Sequence, residues 1–160
     1  PAFDNCLPDD GFWAAKQVMA FTDDEIRALV GTAEYTSKEG NEYLARTMIE
    51  RRDKIGREYF SQVLPLDNFA VRGERLEFED LAVKYRMQAV RQYSFTWSRF
   101  DNASGSKSPV VGAVSPALPQ VADDTYLVAD IQAGDLKKSV SVYLRKKAGT
   151  TKVVGIERRW

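Results

Sequence analysis

The feature that most constrains this chain is a single change of hydrophobic period, from helical spacing to strict alternation, just after Asp67-Asn68. Before it, Ile26, Leu29, Val30 and Ala33 form one helical stripe, and Leu44, Met48, Ile55, Tyr59 and Val63 form another. After it, Tyr93, Phe95 and Trp97 alternate with Gln92, Ser94, Thr96 and Ser98, the pattern of a strand with one apolar and one wet face. A chain that switches once, instead of alternating strand with helix, belongs to the α+β class. The expected architecture is an N-terminal three-helix segment packed on a C-terminal antiparallel β-sheet or small β-sandwich. Residues 1–69 are helical and residues 70–160 are β-sandwich-like, folding as one cooperative unit.

Local signals place the elements. Asp9 or Asp10 caps a first helix through Phe12 to Met19, apolar enough to be buried. Thr22-Asp23-Asp24-Glu25 has the spacing of a capping box. Thr36 or Ser37 caps the third and longest helix, which stops at Leu64-Pro65. In the second half, Leu76 and Phe78 share one parity while Leu81, Val83, Tyr85 and Met87 share the other, so Glu79-Asp80 should hold a bulge or break. Residues 101–124 are rich in Ser, Gly and Pro and read as a long loop with a short extended piece at Val110-Val111. Tyr126 to Ile131 forms a strand, and Ser139 to Lys147 pairs with Lys152 to Arg159 around Ala148-Gly149-Thr150, with Val140, Val142 and Leu144 inward.

Composition matters chiefly through what it removes. There is no histidine, so the commonest general base near neutral pH, the commonest transition-metal ligand and every Ser/His/Asp arrangement are absent. The lone Cys6 has no internal disulfide partner and is expected to be a packed structural thiol. No apolar run reaches the ~18 residues of a membrane span, so no span is expected. Charge is unevenly divided: residues 1–70 carry 8 basic against 13 acidic side chains, and residues 71–160 carry 15 against 10, so −5 faces +5. From Leu136 onward 8 basic residues accompany only Glu157, a signature of either an anionic partner or an edge hairpin protected by lysines.

Three constellations carry chemistry in principle. Asp4, Asp9, Asp10, Asp23 and Asp24 lack the ligand spacing of a calcium loop and fit helix starts, so no metal site and no cofactor is expected. Glu77, Glu79 and Asp80 beside Tyr85 are the candidates for paired-carboxylate hydrolysis. Arg91, Tyr93, Trp97 and Arg99, with Phe95 between, fall on one strand face and would offer a stacking platform for a carbohydrate or cell-envelope polymer; burial in a sheet core is the economical account of the same pattern. No phosphate loop, zinc spacing or nucleophile elbow is present.

The run from Phe12-Trp13-Ala14-Ala15-Lys16 to Ile26-Arg27-Ala28-Leu29-Val30, then Tyr43-Leu44, Ile49-Glu50-Arg51-Arg52-Asp53-Lys54-Ile55-Gly56-Arg57, Pro65-Leu66-Asp67 and Val153-Val154-Gly155-Ile156-Glu157-Arg158, resembles the C-terminal region of a group of large uncharacterised bacterial proteins. The resemblance implies a fragment of a longer, exported protein, periplasmic or extracellular, with an upstream region like a protein kinase. No catalytic residue of such a region matches a position here. The expectation is a non-catalytic interaction or scaffolding module whose partners are other parts of its own chain or another protein. A glycan is the alternative ligand, carboxylate hydrolysis the second alternative, and no nucleic acid is expected.

Overall fold

A computed structural model describes residues 5–134 and 137–160. The chain divides into two units, one ending at Gln62 and one running from Val63 to Trp160. The order is helices first and sheet second, so the class is α+β.

The first unit contains α1 (Pro8–Met19), α2 (Asp23–Gly31) and α3 (Lys38–Gln62), with α1 and α2 both packed on α3. Proline opens α1, where its missing N–H costs nothing, and Asp10 reaches back to accept from the Leu7 N–H at 3.0 Å. One stripe of α1 is buried, made of Phe12, Ala15 and Met19, whereas Trp13 is 63% exposed. The expected full burial of this helix is therefore corrected: Trp13 lies about 100° around the helix from Phe12 and leaves the packed face. At α2 the capping box forms in full, with Thr22 Oγ1 accepting from the Glu25 N–H at 3.2 Å and Glu25 Oε2 accepting from the Thr22 N–H at 2.8 Å. Ser37 caps α3, its Oγ accepting from the Gly40 N–H at 3.1 Å.

The expected stripe of α3 holds in part: Tyr59 packs against Gly11 and Val63 is buried, but the rest of the packed face differs. Ala45, Gly56 and Phe60 are buried, while Met48 and Ile55 are exposed. The reason lies in α1: a Cβ on Gly11 would sit 2.2 Å from Tyr59 Cδ1, and the Phe12 and Phe60 rings pack at 5.7 Å, so the closest approach selects the Gly56–Phe60 side of α3.

The second unit begins with a hairpin of β1 (Leu66–Arg72) and β2 (Arg75–Asp80) turning at Gly73, φ +59°. The former strand was unexpected: a bulge between Asp67 and Ala70, with Asn68 at φ +53°, interrupts its alternation. A four-residue helix, α4 (Leu81–Lys84), follows at the expected break, so Leu81, Val83 and Tyr85 do not continue the strand. Then come β3 (Tyr93–Phe100), β4 (Lys107–Pro109), β5 (Tyr126–Ala133), β6 (Ser139–Lys147) and β7 (Thr150–Arg159), in an antiparallel sheet ordered β4-β3-β5-β6-β7.

Leu66 and Leu76 of the two-stranded sheet share one core with Phe95, Trp97, Leu127, Ala129, Ile131, Val140, Val142 and Leu144 of the larger one. Each such large side chain removed from water contributes about 1.5–3 kcal/mol, which makes this layer the main stabilising element of the unit. The loop between β4 and β5 is part of it. Val110, Ala113, Leu118 and Val121 pack on the core, and the loop is tied down by the Leu76 N–H to Pro116 carbonyl and Leu118 N–H to Glu74 carbonyl bonds, both 2.9 Å.

Candidate functional site

Alternation along β3 sends Tyr93, Phe95 and Trp97 inward, and the four expected ligand-binding residues separate. Trp97 has no exposed surface, and its Nε1–H donates to the Ser115 carbonyl at 2.8 Å, so its indole is closed to a stacking ligand. Arg99 is exposed and lines a shallow depression at the sheet end with Phe100, Asp101 and Asp124. Arg91 and Tyr93 instead converge on Asp80.

Asp80 is the most heavily bonded carboxylate described. Its Oδ1 accepts from the Ala82 N–H at 2.9 Å and the Val83 N–H at 3.2 Å, which starts α4. Its Oδ2 accepts from the Tyr93 hydroxyl at 2.6 Å, Arg91 Nε at 3.2 Å and Gln88 Nε2 at 3.3 Å. The side chain is 5% exposed. Burial, then the bond to Asp80, pushes the Tyr93 phenol well above its ordinary range, so it is a held proton donor. Five donors saturate the carboxylate, leaving no lone pair for a water or a substrate.

Glu77 and Glu79 share the outer face of the hairpin and line one shallow cleft with Asn68 and Arg72. Arg72 Nε lies 3.3 Å from Glu77, and Glu79 accepts from Lys84 Nζ at 2.9 Å and from Asn68. The bonds from Lys84 and Asn68 hold Glu79 below the usual carboxylate range, whereas a general acid must keep its proton near neutrality. Tyr85 ends α4 as its C-cap.

A network absent from the sequence-based expectations lies on the other face of the sheet. Lys107 Nζ bonds Asp130 at 3.2 Å and lies 5.6 Å over the Tyr143 ring; Ser141 Oγ donates to Asp130, and the Tyr143 hydroxyl donates to Glu157 at 2.8 Å. Asp130 was the available signal, the single charge in the strand Tyr126–Ala133. Ser141 is fully buried and offers no accessible nucleophile. Three side chains of the basic C-terminal run are tethered internally: Arg145 to Asp124 at 3.3 Å, Lys146 to the Val121 carbonyl at 2.7 Å and Arg158 to the Leu66 carbonyl at 2.9 Å.

The aspartates considered as cation ligands sit at helix starts where they are described. Asp4 lies outside the described residues; Asp9, Asp10, Asp23 and Asp24 occupy first helical turns, and Asp23 also meets Arg52 at 2.7 Å. Among the described residues no cluster of acids and cysteine gathers with metal-ligand geometry. Cys6 is exposed, correcting the expectation of a packed thiol.

The first unit also carries an apolar groove of about 310 Å³, lined by Val18, Phe21, Ile26, Leu29, Met48 and Ile55 with Arg51 and Arg52. Leu29 is 62% exposed, Phe21 53%, Met48 40% and Ile55 36%. Sequence periodicity assigns Leu29, Met48 and Ile55 to buried stripes, and the structure places them on this open wall instead. Arg52 is neutralised in place, donating to the Phe21 carbonyl at 2.7 Å and to Asp23 and Asp53. Arg51 is exposed and forms no ion pair among the described residues. No family model, no curated protein and no solved structure matches the chain.

Proposed function

We propose that this chain is a non-catalytic interaction module of a larger, exported bacterial protein, a context that follows from the resemblance of its helical half. The observation that carries the reading is the contrast between its acids and its apolar surface. Asp80, Glu79, Asp130 and Asp23 are each held by internal donors, whereas Phe21, Leu29, Met48 and Ile55 stand in water around one groove. Contiguous exposed apolar surface of this kind marks an interaction site. Asp80, with five donors on its two oxygens, has no lone pair left to take a proton from a substrate.

The test is a hydrolase and phosphatase screen of the whole chain beside its Glu77→Gln and Glu79→Gln variants. The module reading expects no turnover from any of the three. Turnover that disappears in either variant overturns it and restores the carboxylate chemistry of the hairpin cleft.

A further inference from the structure

The helical groove identifies the kind of partner, an inference that rests on the module reading above. We infer that the groove receives an amphipathic α-helix of a partner protein, with its apolar stripe against Leu29, Met48 and Ile55 and an acidic side chain against Arg51.

Four observations favour this occupant. First, α3 contributes Met48, Arg51, Arg52 and Ile55, the i, i+3, i+4, i+7 set along which one helix packs on another, and α2 adds Ile26 and Leu29 at i, i+3. The set spans about two turns, enough for about two or three apolar anchors. Second, the walls are supplied mainly by helices, whose backbone groups are already bonded within themselves. An extended peptide laid here would find no ladder partner, whereas a helix brings its own bonds satisfied.

Third, Ile26 is buried at the floor while Phe21, Leu29, Met48 and Ile55 on the rim are each more than a third exposed, so a small apolar ligand would leave that rim in water; a helix covers the rim as well as the floor. A fourth helix against a three-helix array is also the arrangement in which bundles bury such a seam. Fourth, Arg51 is a cation at the edge of an apolar surface with no ion-pair partner among the described residues, while Arg52 beside it is held by Asp23 and Asp53. The charge asymmetry asks for one carboxylate from outside.

The probe is a fluorescein-labelled helical peptide of ~15 residues carrying leucines at i, i+3, i+4 and i+7 and glutamates flanking them, compared with a peptide in which lysine replaces each glutamate. Anisotropy titrations use the full chain, its Met48→Glu and Leu29→Glu variants, and Arg51→Glu. Because Leu29 and Met48 are exposed, these variants keep the parent melting temperature, checked by circular dichroism.

The acidic peptide should bind wild type at least about tenfold tighter than the basic one, lose about tenfold or more on Met48→Glu or Leu29→Glu, and exchange preference with the basic peptide on Arg51→Glu. Several results overturn the inference: no binding of either peptide, binding indifferent to all three substitutions, displacement of the peptide by decanoate at lower concentration than by unlabelled peptide, or a concentration-dependent dimer that Met48→Glu abolishes. None of these bears on the absence of turnover, so failure here leaves the module reading to be decided by its own screen.

Discussion

Replacing Asp80 is the sharpest available test of whether the expected acidic centre serves structure or chemistry. Asp80→Ala removes the N-cap of α4, a loss of about 1 kcal/mol for an ordinary cap. It also strips acceptors from the Tyr93 hydroxyl and Arg91, which the structure places 2.6 and 3.2 Å from Oδ2. An orphaned buried donor costs about 1–3 kcal/mol, and breaking a buried ion pair about 3–5 kcal/mol. Arg91 keeps 22% of its side chain in solvent and recovers part of that in water. The expected loss is therefore about 3 kcal/mol, and the contributions do not add in full because they share one carboxylate.

Asp80→Asn separates the parts. Its remaining carbonyl oxygen can still cap α4 while its amide meets Arg91 as donor against donor, so about 1–2 kcal/mol is expected. The assay is guanidinium unfolding followed by far-ultraviolet circular dichroism and tryptophan emission, with Tyr93→Phe in both backgrounds to measure coupling. In wild type Tyr93→Phe should destabilise; in Asp80→Ala it should be neutral or favourable, because the hydroxyl is already unpaired. An alanine variant within about 0.5 kcal/mol of wild type, the scale of ordinary surface changes, would refute the account of Asp80 as the unit's hydrogen-bond centre.

Gly11→Ala should destabilise by about 1–2 kcal/mol despite the helix propensity it gains, since its Cβ falls 2.2 Å from Tyr59 Cδ1, whereas Gly40→Ala, with its nearest contact at 3.5 Å, should be neutral or stabilising; urea midpoints of the two variants decide it. The Tyr93 phenol is raised in the folded state, so its contribution is complete below the ordinary phenol pKa of about 10 and is lost as pH rises through the folded value. Stability should therefore fall on the alkaline side, and the fall should be shallower in Tyr93→Phe, as measured by unfolding midpoints from pH 8 upward. With Trp13 and Trp160 changed to Phe, Trp97 emission should resist iodide quenching and ignore added oligosaccharide, because the indole has no exposed surface; a sugar-dependent shift would revive the glycan platform.

The sequence made legible those elements whose determinants are local. The Thr22 to Glu25 box is a contact between neighbours three apart, and the β3 alternation is enforced by the pleat itself, so both could be placed without knowing what lay opposite. The failures share the opposite property. Leu81, Val83 and Tyr85 alternate like a strand, yet Asp80 captures two amide N–H groups and turns the chain into α4, and what holds Asp80 there is Tyr93, thirteen residues on. β1 was hidden by the bulge at Asn68.

The groove was hidden for a related reason. The helix α3 carries two apolar rows, and periodicity ranks the row with the larger side chains as core. Packing ranks them by approach distance instead, so Gly11 and Phe12 of α1 seat against Tyr59 and Phe60, and the richer row of Met48 and Ile55 is left outside. A stripe rejected by its own fold while retaining large apolar side chains is therefore the part of this sequence that most needs a second surface. On the proposed module reading, a substitution on this face, and not on the acidic hairpin, is the one that should weaken partner binding.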